Sequence, residues 1–213
     1  MKKIIFTFLI TSATVFAQEN ITAYYEYKTS FDEKKNDINL MGVKIIYELN
    51  QKGDEANFEI KKNDRFYEGN LYHYSNIKDK IEETQRNYQG KRAIVFDTIE
   101  KINWNFKDET KVLNNCNAKR ADYEFEDGKL RHTVEVWYCP SKTRFYPIST
   151  DPQLFDIPGY VVHYKETSND KLGSVTEYTL LEFKENNAIQ IKRPNEGERI
   201  DKNSIKKGFT TSN

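Results

Sequence analysis

The sequence predicts an all-β protein, a curved antiparallel sheet shaped as a half-barrel or two-layer sandwich, with at most one short helix. Three observations carry this. Apolar and polar residues alternate with period two along most of the chain, the pattern of strands with one wet and one dry face. Aromatic residues are abundant, with 14 Tyr, 13 Phe and 2 Trp, and each ring can bury about 150–250 Å². Glycine and proline are few, 9 and 5, which favours long strands over a loop-rich scaffold.

In chain order, residues 1–17 read as an export signal. Lys2 and Lys3 form the positive end, Ile4 to Val15 the apolar stretch, and Val15-Phe16-Ala17 fits the small-x-small cleavage rule. The apolar stretch is shorter than the roughly 20 residues needed to span a bilayer. No cysteine lies near the junction for lipid attachment, and no later segment could cross a membrane. The expected location is therefore the periplasm or the cell surface.

Cleavage removes Lys2 and Lys3 from 33 basic residues and leaves 31 against 33 acidic, both signs scattered. A nucleic-acid binder would cluster its basic residues, so that class is excluded. Residues 18–192 read as a single β domain, and residues 193–213 as a charged, loose tail.

Within the domain, Ile21 to Lys28 opens the strand pattern. Val43 to Leu49 and Ala56 to Ile60 flank the turn-like Gln51-Lys52-Gly53-Asp54 and read as a hairpin. Further strands are expected over Arg65 to Tyr74, Ala93 to Ile99, Ile102 to Phe106, Val161 to Glu166, Val175 to Phe183 and Ala188 to Ile191. Asn76 to Tyr88 offers the one helix, with Asn76 as its cap. Tyr24 and Tyr25 point opposite ways in the first strand, which favours exposed tyrosines.

Asp127-Gly128 predicts a two-residue hairpin turn. Pairing about it opposes Glu124 to Arg131 and Arg120 to Glu135 on one face. Phe125 then meets Leu130, and Ala121 meets Val134, on the other. Charges and apolar side chains match, as cross-strand neighbours should. The same register opposes Cys116 to Cys139, the only two cysteines, and an oxidising compartment permits a disulfide between them. Its expected role is stability, because no Cys-x-x-Cys is present.

The run Ile102 to Val112 containing Trp104, then Cys116 and Ala121, then Val136-Trp137-Tyr138, and finally Asp156-Ile157-Pro158-Gly159-Tyr160-Val161, resembles the GLPGLI family of exported Bacteroidetes proteins. Asp156 stands where the family has its first glycine, and Tyr160-Val161 where it has an aliphatic pair. The resemblance spans Ile99 to Val162 and implies an exported protein. It brings no assigned activity and no catalytic residue. On physical grounds Pro158-Gly159 reads as a tight start to a strand, and otherwise as a backbone that approaches a ligand.

Candidate chemistry is sparse. His73, His132 and His163 could converge on zinc, but their wide spacing favours hydrogen-bonded core or rim histidines, with His132 facing Tyr123. The acidic pairs Asp32-Glu33, Glu82-Glu83 and Asp108-Glu109 would point to opposite faces in strands, and nothing selects a glycosidase pair. No phosphate loop, dinucleotide fingerprint or serine-hydrolase elbow is present. Asp97-Thr98-Ile99 resembles a short O-glycosylation acceptor.

No catalytic, metal or cofactor residue is therefore expected. The readings are a non-enzymatic exported module that engages an envelope protein partner, or a periplasmic carrier of an apolar ligand such as lipid. A hydrolase with dispersed carboxylates comes third.

Overall fold

The computed structural model describes residues 20–31, 45–63, 72–88, 90–98, 101–148, 153–202 and 204. Residues 1–17, read above as an export signal, Arg65 and the acidic pair Asp32-Glu33 lie outside them. The elements are β1 (Asn20–Phe31), β2 (Ile45–Lys52), β3 (Glu55–Asn63), β4 (Tyr72–Asn76), β5 (Ile81–Tyr88) and β6 (Lys91–Thr98) in the first half. The second half holds β7 (Asn105–Leu113), β8 (Cys116–Asp127), β9 (Leu130–Pro140), β10 (Gly159–Ser168), β11 (Ser174–Glu185) and β12 (Glu198–Asp201). They form one curved, unclosed sheet in the order β12-β6-β5-β4-β3-β2-β1-β11-β10-β9-β8-β7. Neighbours are antiparallel except β12, which lies parallel to β6.

Two meanders meet at the β1–β11 pair, where Tyr25 opposes Leu180 and Tyr27 opposes Tyr178. This topology forces the curl. β6 and β7 lie ten strand steps apart in the sheet, about 48 Å if it were flat. The chain from Thr98 to Asn105 can span only about 25 Å, so the sheet must bend until its two ends approach.

The inner face of that bend follows from the ladders. Ala23, Leu49, Phe58, His73, Thr84 and Val95 form one cross-strand row. Ala23, Leu49 and Phe58 have no solvent exposure. Residues 141–148 and 153–158 lie across the inside next to this row. The Gln51 side chain donates to the Arg144 carbonyl (2.7 Å), Gln153 donates to Glu82 (3.2 Å), and Phe145, Tyr146, Ile148, Leu154 and Ile157 join the same core as Tyr25 and Phe58. The Tyr25 hydroxyl donates to the Val161 carbonyl at 2.8 Å.

The outer face is covered too. Residues 186–201 run over it as a strap, along the row Thr22, Asn50, Asn57, Tyr74, Glu83 and Phe96. Asn186 donates to the Thr22 hydroxyl (3.0 Å), Tyr72 to the Lys192 carbonyl, and Arg193 and Arg199 to Glu83. Arg193 lies over the Tyr74 ring and Arg199 over the Phe96 ring. The stretch from Arg193, expected to be a loose tail, is thus bound to the sheet as far as Lys202, whose Nζ pairs with Asp97 at 2.9 Å.

Covering both faces explains why the strands do not alternate cleanly. Ile21, Thr22 and Ala23 are all buried. It also corrects the expectation of exposed tyrosines: every described tyrosine is buried or half-buried.

Three further expectations change. Asn76 to Tyr88 is not a helix but the end of β4, a turn and β5. The cap-like behaviour of Asn76 is real, since its side chain accepts from the Asp79 amide (2.9 Å), but it closes a turn. Ile102 to Trp104 and Ala188 to Ile191 are not strands. In the β8–β9 hairpin the loop is Gly128-Lys129, so Asp127 opposes Leu130, Tyr123 opposes Val134 and His132 faces Phe125 instead of Tyr123. Gly128 has φ +64° at the first loop position, where a type II′ turn puts its glycine. The shift is an even number of residues, so every side chain keeps its expected face. Arg131–Glu124 and Arg120–Glu135 (3.2 Å) survive as diagonal pairs.

Candidate functional site

The expected motif residues serve the fold. Cys116 and Cys139 form a disulfide with Cα atoms 6.2 Å apart, just beyond the last β8–β9 ladder pair, Lys119 with Tyr138. Gly159 starts β10 against the backbone of β9. A Cβ there would stand 2.0 Å from the Cys139 carbonyl oxygen, so no side chain fits. Pro158 accepts from the Ser141 amide through its carbonyl. Asp156 accepts from the Ile102 amide (2.9 Å) and ties the connection into β7 to the inner loop. Trp104 is buried beside Tyr123, 5.7 Å between centroids. Trp137 lies on the outer face, donating to Glu135 at 2.7 Å with Lys111 above its ring.

The three histidines do not converge. His73 is buried on β4 and bonded to the Thr84 hydroxyl (2.9 Å); burial, helped by the charge of Arg86, pushes its pKa down to about 4. His163 faces outward beside Trp137 and bonds Thr179 (3.2 Å); burial lowers its pKa, against the pull of Glu177. His132 lies on the inner face, stacked on Phe125 at 4.7 Å, and its Nδ1 donates to Glu166 at 2.8 Å. Among the described residues no group of three His, Cys, Asp or Glu is placed to hold a metal ion. Glu82 and Glu83 do point to opposite faces, and Thr98 is exposed at the end of β6.

What the structure assembles instead is a graded inner face. Toward the end filled by residues 141–148 and 153–158 the rows are sealed. Toward the other end the side chains become half-buried and mixed in character. Tyr27, Ile45 and Ile60 line one side of that end, and Tyr123, Phe125, His132 and Glu166 the other. Between them Tyr27 and Tyr178 pack at 5.0 Å, and burial drives the Tyr178 hydroxyl pKa well above its ordinary value. Glu166 accepts from His132 and from the Tyr164 hydroxyl (2.9 Å).

Arg86 enters this face from β5, two residues beyond Thr84. Its Nε is buried without a hydrogen-bond partner, as are His132 Nε2 and Trp104 Nε1. Buried polar atoms are nearly always satisfied, so three on one face mark it as unusual. No sequence signal pointed to Arg86 or Glu166, because their role depends on which strands the curl brings together.

Chemically, the arrangement suits binding. It offers ring faces, hydroxyls, the Arg86 cation and the Glu166 carboxylate, which already accepts from His132 and from the Tyr164 hydroxyl.

No family model matches the chain, and no curated protein matches it. It is similar in structure to PNGF-II in two crystal forms, with 19% and 20% identity and TM-scores of 0.53 and 0.50. Those matches cover 90% and 91% of this chain but 33% and 34% of the other, so the chain spans about a third of the length of PNGF-II. A LolA superfamily protein from Nitrosomonas europaea matches at 11% identity and a TM-score of 0.38, over 82% of this chain and 89% of that one. At these identities the PNGF-II likeness is one of fold.

Proposed function

We propose that this chain is an exported, non-enzymatic binding module that holds a partly apolar ligand on the half-buried end of its inner face, as a carrier would. The observation that carries the reading is the asymmetry of that face. One end is sealed by the chain's own loop, while the other keeps Tyr27, Ile60, Phe125 and Arg86 half-exposed within the bend. Binding sites are concave, mostly apolar and furnished with a few polar groups, and this end has that composition. The resemblance to exported GLPGLI proteins supports the export part of the proposal.

The test is native mass spectrometry of the mature protein purified from its own envelope without detergent. We expect excess mass that organic solvent removes. A bare mass overturns the reading.

A second reading, engagement of an envelope protein, is favoured by β7. It ends the sheet and exposes Phe106 (49%) and Val112 (71%). Against it, the β7–β8 ladder is interrupted between Phe106 and Thr110, and a bulge of this kind with charged neighbours blunts an edge against strand addition.

A further inference from the structure

We propose that Arg86 anchors the acidic head of an amphiphile, with a fatty carboxylate as its class, whose apolar chain lies on the rings of the inner face. This rests on the binding-module reading and adds the chemistry of the ligand.

Arg86 is placed by register. Thr84 opposes His73, which opposes Phe58. Arg86 lies two residues beyond Thr84 as Ile60 lies two beyond Phe58, so the guanidinium shares the inner face with the side chains of Ile60 and Tyr47. The Arg86 Nε is buried without a partner, and no carboxylate among the described residues forms an ion pair with Arg86. Its described surroundings include the Tyr88 ring, 6.0 Å from the guanidinium carbon, and His73, on which its charge acts.

A part-buried guanidinium lacking a counter-charge is costly, and its planar fork matches a carboxylate through two parallel hydrogen bonds. A neutral hydrocarbon would cover the charge without compensating it. A small soluble anion would pair with Arg86 and leave Ile60, Tyr47 and Tyr27 uncovered. One molecule that does both has an acidic head and a hydrocarbon chain. Orientation follows from charge as well: Glu166, on the far side of the same face, repels an acid, so the head sits at Arg86 and the chain runs toward Tyr27 and Tyr178.

The experiment is calorimetric titration of the full mature protein with decanoate, decanol and inorganic phosphate. Decanoate is expected to bind, decanol to bind at least about ten-fold more weakly, as charge-assisted hydrogen bonds predict, and phosphate alone not measurably. Arg86→Gln should lower decanoate affinity to that of decanol and leave decanol unchanged, while Lys91→Gln changes neither. Equal binding of decanoate and decanol by the unmodified protein overturns the inference and leaves the binding module standing. Phosphate binding as tight as decanoate also overturns it. Binding of none of the three removes both. Should Arg86→Gln fail to fold, the preference of the unmodified protein for decanoate over decanol decides alone.

Discussion

Arg193 lays its guanidinium along the carboxylate of Glu83, Nε 2.8 Å from Oε2 and Nη2 2.7 Å from Oε1, across 110 residues of sequence. Arg199 joins the same carboxylate, whose side chain has no solvent exposure. Burial would raise the Glu83 pKa, but the bonds and charges of the two arginines outweigh it and hold the carboxyl below its ordinary value. Breaking a buried pair from one side costs about 3–5 kcal/mol. Because both arginines are half-exposed, we expect Glu83→Gln to cost about 2 kcal/mol. Truncation after Lys192 should cost more, since it also bares the edge of β6. Urea unfolding measures both, and a truncated chain within about 0.5 kcal/mol of the full one would show that the strap is not structural.

Acid should weaken the fold through His73 before it does so through the carboxylates. Its pKa falls from 6.5 to about 4 on folding, so the unfolded chain binds the proton more readily. Stability from this group is complete above the unfolded value of 6.5 and is lost as pH falls toward the folded value of about 4, where the loss levels off. The whole window amounts to about 3 kcal/mol. Glu83 also has a lowered value, and its contribution is lost at more acidic pH, below its ordinary 4.5. Melting temperatures at pH 7 and pH 5, on the unmodified chain and on His73→Gln, should differ less in the variant, which keeps the part of the drop that comes from His163, whose pKa burial also lowers. An equal drop in both would exclude His73 as the cause.

Gly159 and Gly128 should respond differently to alanine. At Gly159 the added carbon meets the Cys139 backbone at 2.0 Å, and two paired strands must separate. We expect a loss of at least about 3 kcal/mol, the range of overpacked core sites. At Gly128 nothing lies within 4 Å, and the cost comes from φ +64° alone, about 1 kcal/mol. Chemical denaturation of the two variants measures the contrast, and equal losses would contradict the close approach of β10 to β9.

Reducing the Cys116–Cys139 bond should destabilise the fold by about 3 kcal/mol on the loop-entropy account, because the linked residues are 23 positions apart. The unreduced mass should lie about 2 Da below the reduced one, each thiol losing one hydrogen. A reduced protein that melts at the same temperature would mean that the hairpin ladder alone holds that end of β9.

Strand content, the β2–β3 hairpin and the β8–β9 hairpin were legible because alternation and turn chemistry are local. The β8–β9 register differs by two residues from the one expected, since Asp127-Gly128 and Gly128-Lys129 both offer a loop with glycine in it. The faces and the disulfide survived because side-chain orientation repeats every two residues. Asn76 to Tyr88 carries a helical signal because Ile77, Ile81 and Tyr88 fall at helical spacing, while the burial of Glu83 under two distant arginines, which belongs to a strand, has no local signature.

By itself the sequence determined the all-β class, the alternating strands, which of the β8 and β9 side chains share a face, and the pairing of its two cysteines. These follow from period-two geometry and from turns a few residues long. Only the tertiary structure decided that the sheet bends back on itself, that residues 141–148 and 153–158 seal one end of the bend, that residues 186–201 strap its outside, and that Arg86 and Glu166 come to share an inner face. Each of those depends on contacts between residues far apart in the chain, whose free energy is set by closure of the whole sheet and has no signature in any short window.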